Sequence, residues 1–290
     1  MENIPITGHT QLTALLGSPV SHSISPLMHN ESFRLLHLDY VYLCFDVTEQ
    51  ELEAVVSGLR LAGIRGFNLT MPNKNRIIEL TDSLSPEVEL IQTANTIVND
   101  SGILTAYNTD GIGFMRSVKE AGHTIVGGTM TIIGAGGAAS AICAQAALDG
   151  VEKIHIFARP TSRFWTRTEQ LADRIRNSTN CSVSLHEHPN EQQLRASIAE
   201  STIFVNGTPV GMASNAKACI ISDASYLHPE LIVADLIYNP KETKLLAMAK
   251  SIGCPTLNGL PMLLCQGAEA FRLWTGEQMP VDRIQEKIIG

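Results

Sequence analysis

Thr129-Met130-Thr131-Ile132-Ile133-Gly134-Ala135-Gly136-Gly137-Ala138 is the stretch that sets the fold. Its first five residues form an apolar, β-branched run of the length of one buried strand. The glycines that follow at once predict a sharp turn into a helix over about residues 139–148. Strand, glycine turn and helix in that order make a dinucleotide-binding arrangement. Without side chains in the way, backbone N–H groups can approach a pyrophosphate at the positive end of the helix. A glycine turn alone also fits a tight corner with no ligand; the strand before it and the helix after it tip the reading toward a cofactor. Gly134, Ala135, Gly136, Gly137 and Ala138 are therefore candidate cofactor contacts.

Moving outward, residues 153–157 read as the next strand, which runs out in Ala158-Arg159. In this fold an acidic residue there binds the ribose 2′-hydroxyl of NAD, whereas an Arg accommodates the 2′-phosphate of NADP. Arg163 follows Arg159 and the next carboxylate is Glu169, so NADP is favoured over NAD, although Arg159 alone also fits a solvated surface residue. Beyond it the patterns predict a helix near residues 168–177 and strands at 182–185, 203–206 and 231–235. Helices are expected at 242–251, 263–275 and 282–288. His186-Glu187-His188 places two imidazoles on one face of a strand, half a metal site without a recognisable third ligand. A surface strand is the reading, and no metal is expected.

The first half is read the same way. Strands are expected at residues 12–16, 40–47, 66–70, 96–98 and 103–107. Ser25-Pro26 is an N-cap and first-turn signature for a helix to about residue 36. Thr48-Glu49-Gln50-Glu51 is a capping box before Leu52, Val55, Val56 and Leu59 at helical spacing, and Gly63 stops that helix. Alternating strands and helices imply a mainly parallel sheet. The fold class is α/β. An N-terminal α/β substrate domain, residues 1–109, is completed by C-terminal helices within 257–290. A Rossmann-like, doubly wound dinucleotide-binding domain covers 110–256, with a cleft between the two.

Polar residues gather at the predicted strand ends. Ser21, Ser23 and Ser25 lie in a loop that opens a helix, where hydroxyls beside helical N–H groups suit a carboxylate; taken alone, Ser25 reads as a plain cap. Asn68-Leu69-Thr70-Met71-Pro72-Asn73-Lys74 puts a Lys in a Pro-fixed turn, and Asn95-Thr96 and Asn108-Thr109-Asp110-Gly111 add amides, hydroxyls and a carboxylate. Interconversion of an alcohol and a ketone needs a hydride and one proton. A Lys held near a carboxylate can carry that proton.

The bulk numbers exclude several classes. The chain has 290 residues and a net charge of −8, with no basic run, which argues against nucleic acid or an anionic membrane surface as partner. Hydrophobic residues at 44 % and charged ones at 17 % are ordinary for a globular protein. Six scattered cysteines and an opening without a basic, apolar leader point to a reducing cytoplasm. A small-molecule substrate is expected, with the protein a monomer or homodimer.

These motifs together resemble the shikimate dehydrogenase family, nearest its quinate/shikimate branch. The resemblance runs through Ser23-Ile24-Ser25-Pro26, Asn68 to Lys74, Asn95-Thr96, Tyr107 to Gly111 and Gly134 to Ala138. It continues in Asn206-Gly207-Thr208-Pro209-Val210-Gly211-Met212 and Gln266-Gly267-Ala268. It implies Lys74 and Asp110 as the catalytic pair. Ser23, Ser25, Tyr42, Thr70, Asn95, Thr109 and Gln266 would hold the substrate carboxylate and ring hydroxyls. Thr208 and Met212 would flank the nicotinamide half of the cofactor, and Met262 would either line the nicotinamide pocket or fill a gap in the packing. The implied activity is the NADPH-dependent reduction of 3-dehydroshikimate to shikimate. The rivals are quinate oxidation with NAD and a catalytically weak ligand-binding relative.

Three departures from the family pattern stand out. Gln92-Thr93-Ala94 replaces the usual Gly-Ala-Val before Asn95-Thr96, Pro261 replaces a Gly in Gly259-Leu260-Pro261-Met262, and Ala158 replaces the Asn before Arg159. Pro261 removes an N–H from a turn expected to face the nicotinamide.

Overall fold

In the computed structural model, which describes residues 5–289, the first half follows the order β1 (Gln11–Gly17), α1 (Ser25–Leu35), β2 (Tyr40–Asp46), α2 (Leu52–Leu61) and β3 (Gly66–Leu69). Next come β4 (Ser83–Leu84), α3 (Pro86–Ile91), β5 (Thr96–Asp100), β6 (Ile103–Tyr107) and α4 (Thr109–Glu120). The sheet order is β2-β1-β3-β5-β6-β4. It is mainly parallel with one reversed strand: β1 runs parallel to β2 and β3, and β4 to β6, while β5 is antiparallel to both β3 and β6. Ser101 and Gly102 both take positive φ, the conformation of a two-residue hairpin turn, and fold β6 straight back on β5.

One face of this sheet buries Ala14, Leu16, Phe67, Leu69 and Ile97 against Leu52 and Val56 of α2. An aromatic cluster of Phe33, Tyr42, Phe271 and Trp274 forms a second packed region of the same unit.

Two helix starts differ from expectation. Ser25 is the first helical residue of α1 and Ile24 the N-cap, so Ser25 does not cap. Instead the Ser25 N–H donates to Ser23 Oγ at 3.2 Å. At residues 48–51 the Glu51 carboxylate accepts from both the N–H (3.0 Å) and the hydroxyl (2.7 Å) of Thr48. Half of the capping box forms; the Thr48 hydroxyl turns to the carboxylate rather than to a helical N–H.

The second half contains β7 (Thr129–Ile133), α5 (Gly137–Leu148), β8 (Lys153–Ala158), α6 (Trp165–Ser178), β9 (Ser182–Glu187), α7 (Glu191–Ala199) and β10 (Ile203–Asn206). It ends with β11 (Ile232–Asp235), α8 (Lys244–Ile252), β12 (Thr256–Leu257), α9 (Gly259–Thr275) and α10 (Val281–Ile289). All six strands are parallel in the order β12-β11-β10-β7-β8-β9. Helices cover such a sheet on both faces, which is why β7, β8, β10 and β11 are nearly continuous buried runs. The strand order reverses at β7, so the point where ligands bind in open parallel sheets lies beyond the carboxyl ends of β7 and β10.

The chain divides into two units. One comprises residues up to Thr109 together with those from Leu264, and the other is Asp110–Leu263. α9 therefore starts in the second unit and ends in the first, where Trp274 is buried and donates from Nε1 to Ile97 O at 3.0 Å. Pro261 falls in the first turn of this helix, where an N–H would have no intrahelical acceptor, so it starts the helix rather than distorting a turn. Among the described residues no helix is long and apolar enough to cross a membrane.

Candidate active site

In the first unit a chain of polar contacts joins most of the expected substrate residues. Tyr42 is fully buried, and that burial holds its phenol well above its ordinary pKa. The phenol thus stays a donor, reaching Asn68 Oδ1 at 2.8 Å. Asn68 Nδ2 donates to Asn95 O (3.1 Å) and Thr96 Oγ1 (3.0 Å). Asn95 accepts the Thr109 N–H at 2.9 Å, and the Thr109 hydroxyl lies 3.2 Å from Asn95 Oδ1 and 3.4 Å from Gln266 Oε1. Buried polar groups have to be paired, and each of these is paired within the network. Tyr42, Asn95, Thr109 and Gln266 are therefore brought together, while Ser25 bonds Ser23.

Thr70 and Lys74 belong to the bend that follows β3. The Thr70 N–H donates to Leu16 O at 3.0 Å, extending the β1–β3 pairing by one residue. Lys74 is half-buried, and its carbonyl accepts from the Ala94 N–H at 2.9 Å.

Asp110 opens the second unit in the first turn of α4, where a carboxylate is favoured by the helix dipole. Gly111 beside it lets α4 approach α5 closely: a Cβ there would lie 2.3 Å from Ala141 O.

The glycine turn has the form that the sequence suggests. Gly134 has φ +136°, and a Cβ on it would lie 2.7 Å from Gly207 O. A Cβ at Gly136 or Gly137, by contrast, would meet nothing within 4 Å. The backbone at the start of α5 thus faces open space, and the first turn holds no acidic residue. That combination fits a pyrophosphate. Ala135 and Ala138 complete the turn.

Arg159 is exposed just past β8, where its carbonyl accepts from the Ser162 N–H at 2.9 Å. Its charge reaches His188, whose pKa is lowered by burial and secondarily by Arg159. Thr208 lies in the loop that Gly207 brings against Gly134, and its hydroxyl donates to Asn206 Oδ1 at 2.7 Å. Met212 is exposed; Met262 is buried in the first turn of α9.

Residues 15–97 match the shikimate dehydrogenase substrate binding domain, and residues 259–289 match the shikimate 5'-dehydrogenase C-terminal domain. The shikimate dehydrogenase (NADP(+)) of Listeria innocua is 52 % identical over 281 residues, covering 97 % of this chain and 96 % of that one. The chain belongs to the shikimate dehydrogenase family. Within the family, the Listeria monocytogenes shikimate 5-dehydrogenase, solved in complex with shikimate and NAD, is 51 % identical and superposes with a TM-score of 0.96 over 99 % of both chains. The quinate dehydrogenase of Corynebacterium glutamicum, in complex with NAD, is 30 % identical, with a TM-score of 0.86 over 97 % of this chain and 99 % of that one.

Sequence reasoning did not single out Asn68 and Thr96 as individual site residues, although both lie in motifs that carry the resemblance. Their signal is a buried polar side chain within a strand: Asn68 is 9 % exposed and Thr96 is fully buried. His186 also acquires a partner that its motif does not show. Its Nε2 lies 3.0 Å from His155 Nδ1, and His155 Nε2 lies 2.7 Å from Glu200 Oε1. Among the described residues no three side chains form a group that could hold a metal.

Proposed function

We propose that this chain is a shikimate dehydrogenase, an NADP-dependent oxidoreductase that reversibly reduces 3-dehydroshikimate to shikimate. The observation that carries the reading is the near-full-length likeness to the Listeria enzymes, one of them solved with shikimate. The polar network of the first unit has the chemistry such a substrate needs. A polyhydroxylated ring is held by short donors and acceptors fixed in place, and Asn95, Thr109 and Gln266 supply them, with Thr70 on the β3 bend next to Leu69, whose N–H donates to Asn95 O. Ser23 and Ser25 can donate to a carboxylate without a counter-charge, and the Ser25 N–H is tied to Ser23 Oγ.

In this reading residues 1–109 and 257–290 bind substrate, and residues 110–256 bind the cofactor. The turn from Gly134 to Ala138 would hold the pyrophosphate, Arg159 the 2′-phosphate, and Thr208, Met212 and Met262 the nicotinamide half. Bound NADPH supplies the hydride. Lys74 gives its proton to the carbonyl oxygen as that oxygen gains charge, and Asp110 is the carboxylate partner of the pair. The fixed carbonyl of Lys74 limits where its side chain can reach, which favours a productive geometry.

Lys74→Ala is expected to lower kcat by roughly a hundredfold or more, with a small change in shikimate KM. Near-wild-type turnover would remove Lys74 from the mechanism. In the same assays, kcat/KM should be highest for shikimate with NADP among the four combinations of shikimate or quinate with NADP or NAD. A preference for quinate would overturn the substrate assignment.

A further inference from the structure

The main chain around Lys74 is tied on three sides. Before it, Asn73 is fully buried and donates from Nδ2 to Val47 O at 2.8 Å. At Lys74 itself the carbonyl accepts from the Ala94 N–H. After it, Asn75 Oδ1 accepts from the Thr93 hydroxyl at 2.9 Å. Asn75 occupies the N-cap position of a short 3-10 helix (Arg76–Leu80), yet its side chain makes no capping bond there.

Two of the three ties come from residues 93 and 94, inside the segment Gln92-Thr93-Ala94. Thr93 is 4 % exposed, and its carbonyl accepts from Asn108 Nδ2 at 3.0 Å. Asn108 in turn donates its N–H to Glu87 Oε1 at 3.1 Å. A single buried residue therefore touches both the bend that carries Lys74 and the strand end that carries Thr109.

We propose that Thr93 is a positioning residue for Lys74: its hydroxyl, acting through Asn75, holds the bend in the conformation from which the ammonium meets the reacting oxygen. This rests on the reading of Lys74 as the proton donor. Thr and Val have nearly the same shape, so replacement by Val keeps the volume of residue 93 and removes the hydroxyl with its bond to Asn75. A bend released by a fraction of an ångström binds substrate as before and transfers the proton less often.

Thr93→Val and Asn75→Ala remove the same bond from its two ends, and Asn75 is exposed, so the second leaves the core untouched. With NADP saturating, each should lower kcat by about three- to tenfold with shikimate KM within about twofold of wild type. The double variant should be no slower than the slower single one, because only one bond is shared. Thr93→Ser, which keeps the hydroxyl, should restore most of the lost kcat. Wild-type kcat in Asn75→Ala, or losses that multiply in the double variant, would overturn the proposal, and Asn75→Ala decides even if Thr93→Val does not fold. If Lys74→Ala itself keeps turnover, the reading of Lys74 fails first. If Lys74→Ala is inactive while Asn75→Ala and Thr93→Val turn over normally, only the role of Thr93 fails.

Discussion

His29 in α1 shows how much one side chain can store. It is fully buried and stacked on Tyr42, with 4.5 Å between ring centres and 16° between planes. Neither ring nitrogen has a hydrogen-bond partner. Burial pushes its pKa down to about 3, whereas an imidazole in the unfolded chain titrates near 6.5. Between those values the unfolded state holds one proton more than the folded state. Stability contributed by the neutral ring is therefore complete above pH 6.5 and falls as the pH drops toward 3, by about 1.4 kcal/mol per pH unit. Urea midpoints at pH 5 and pH 7 should diverge in the wild type and diverge less in His29→Phe. An unchanged divergence would place the proton on another group. In the sequence His29 carries no periodicity or motif, because its environment is built by Tyr42, Phe271 and Trp274 from distant segments.

At the level of elements, Gln92 ends α3 with φ 54° and ψ 44°, the left-handed conformation that glycine adopts without strain. An L-residue there costs about 1–2 kcal/mol, partly offset by the greater freedom of glycine in the unfolded chain and by the Gln92 side-chain bond to Glu89 O. Gln92→Gly should therefore raise stability by about 0.5–1 kcal/mol, read as a higher thermal midpoint; a lower midpoint would refute this. Such end effects are visible in the sequence only when the residue is the usual one, as at Gly63, which closes α2 with φ +74°. The parallel strands of the second unit were legible because burial on both faces leaves unbroken apolar runs. The direction of β5 was not, since strand patterns carry no sign and the Ser101-Gly102 turn fixes only that β6 runs back along β5. α7 was missed for a different reason: its helical face is short, with Leu194, Ser197 and Ile198 as its buried residues. The site was legible as separate motifs at strand ends. That Tyr42, Asn68 and Thr109 form one network depends on register across β2, β1, β3 and β5, which no single motif encodes.

For the whole molecule, the decisive fact is that the first unit is discontinuous in sequence. Trp274 plugs it from the far end of the chain, 1 % exposed, and its carbonyl accepts from Arg65 Nε at 2.8 Å. Trp274→Ala should destabilise that unit by about 3–5 kcal/mol. Hydrogen exchange can read the units separately: amides of β1 should lose protection while those of β7 keep theirs. Equal loss in both would mean that the two unfold as one. During synthesis, residues up to Thr109 emerge well before the helix that seals them. At usual translation speeds the delay is on the order of ten to thirty seconds. For that interval the seat of Trp274 is an uncovered apolar groove on a nascent chain, while the intervening segment has everything it needs to fold. A message cut short just past Leu263 would thus release a product whose second unit is whole in sequence and whose first unit is permanently unfinished, a natural substrate for chaperones and proteases.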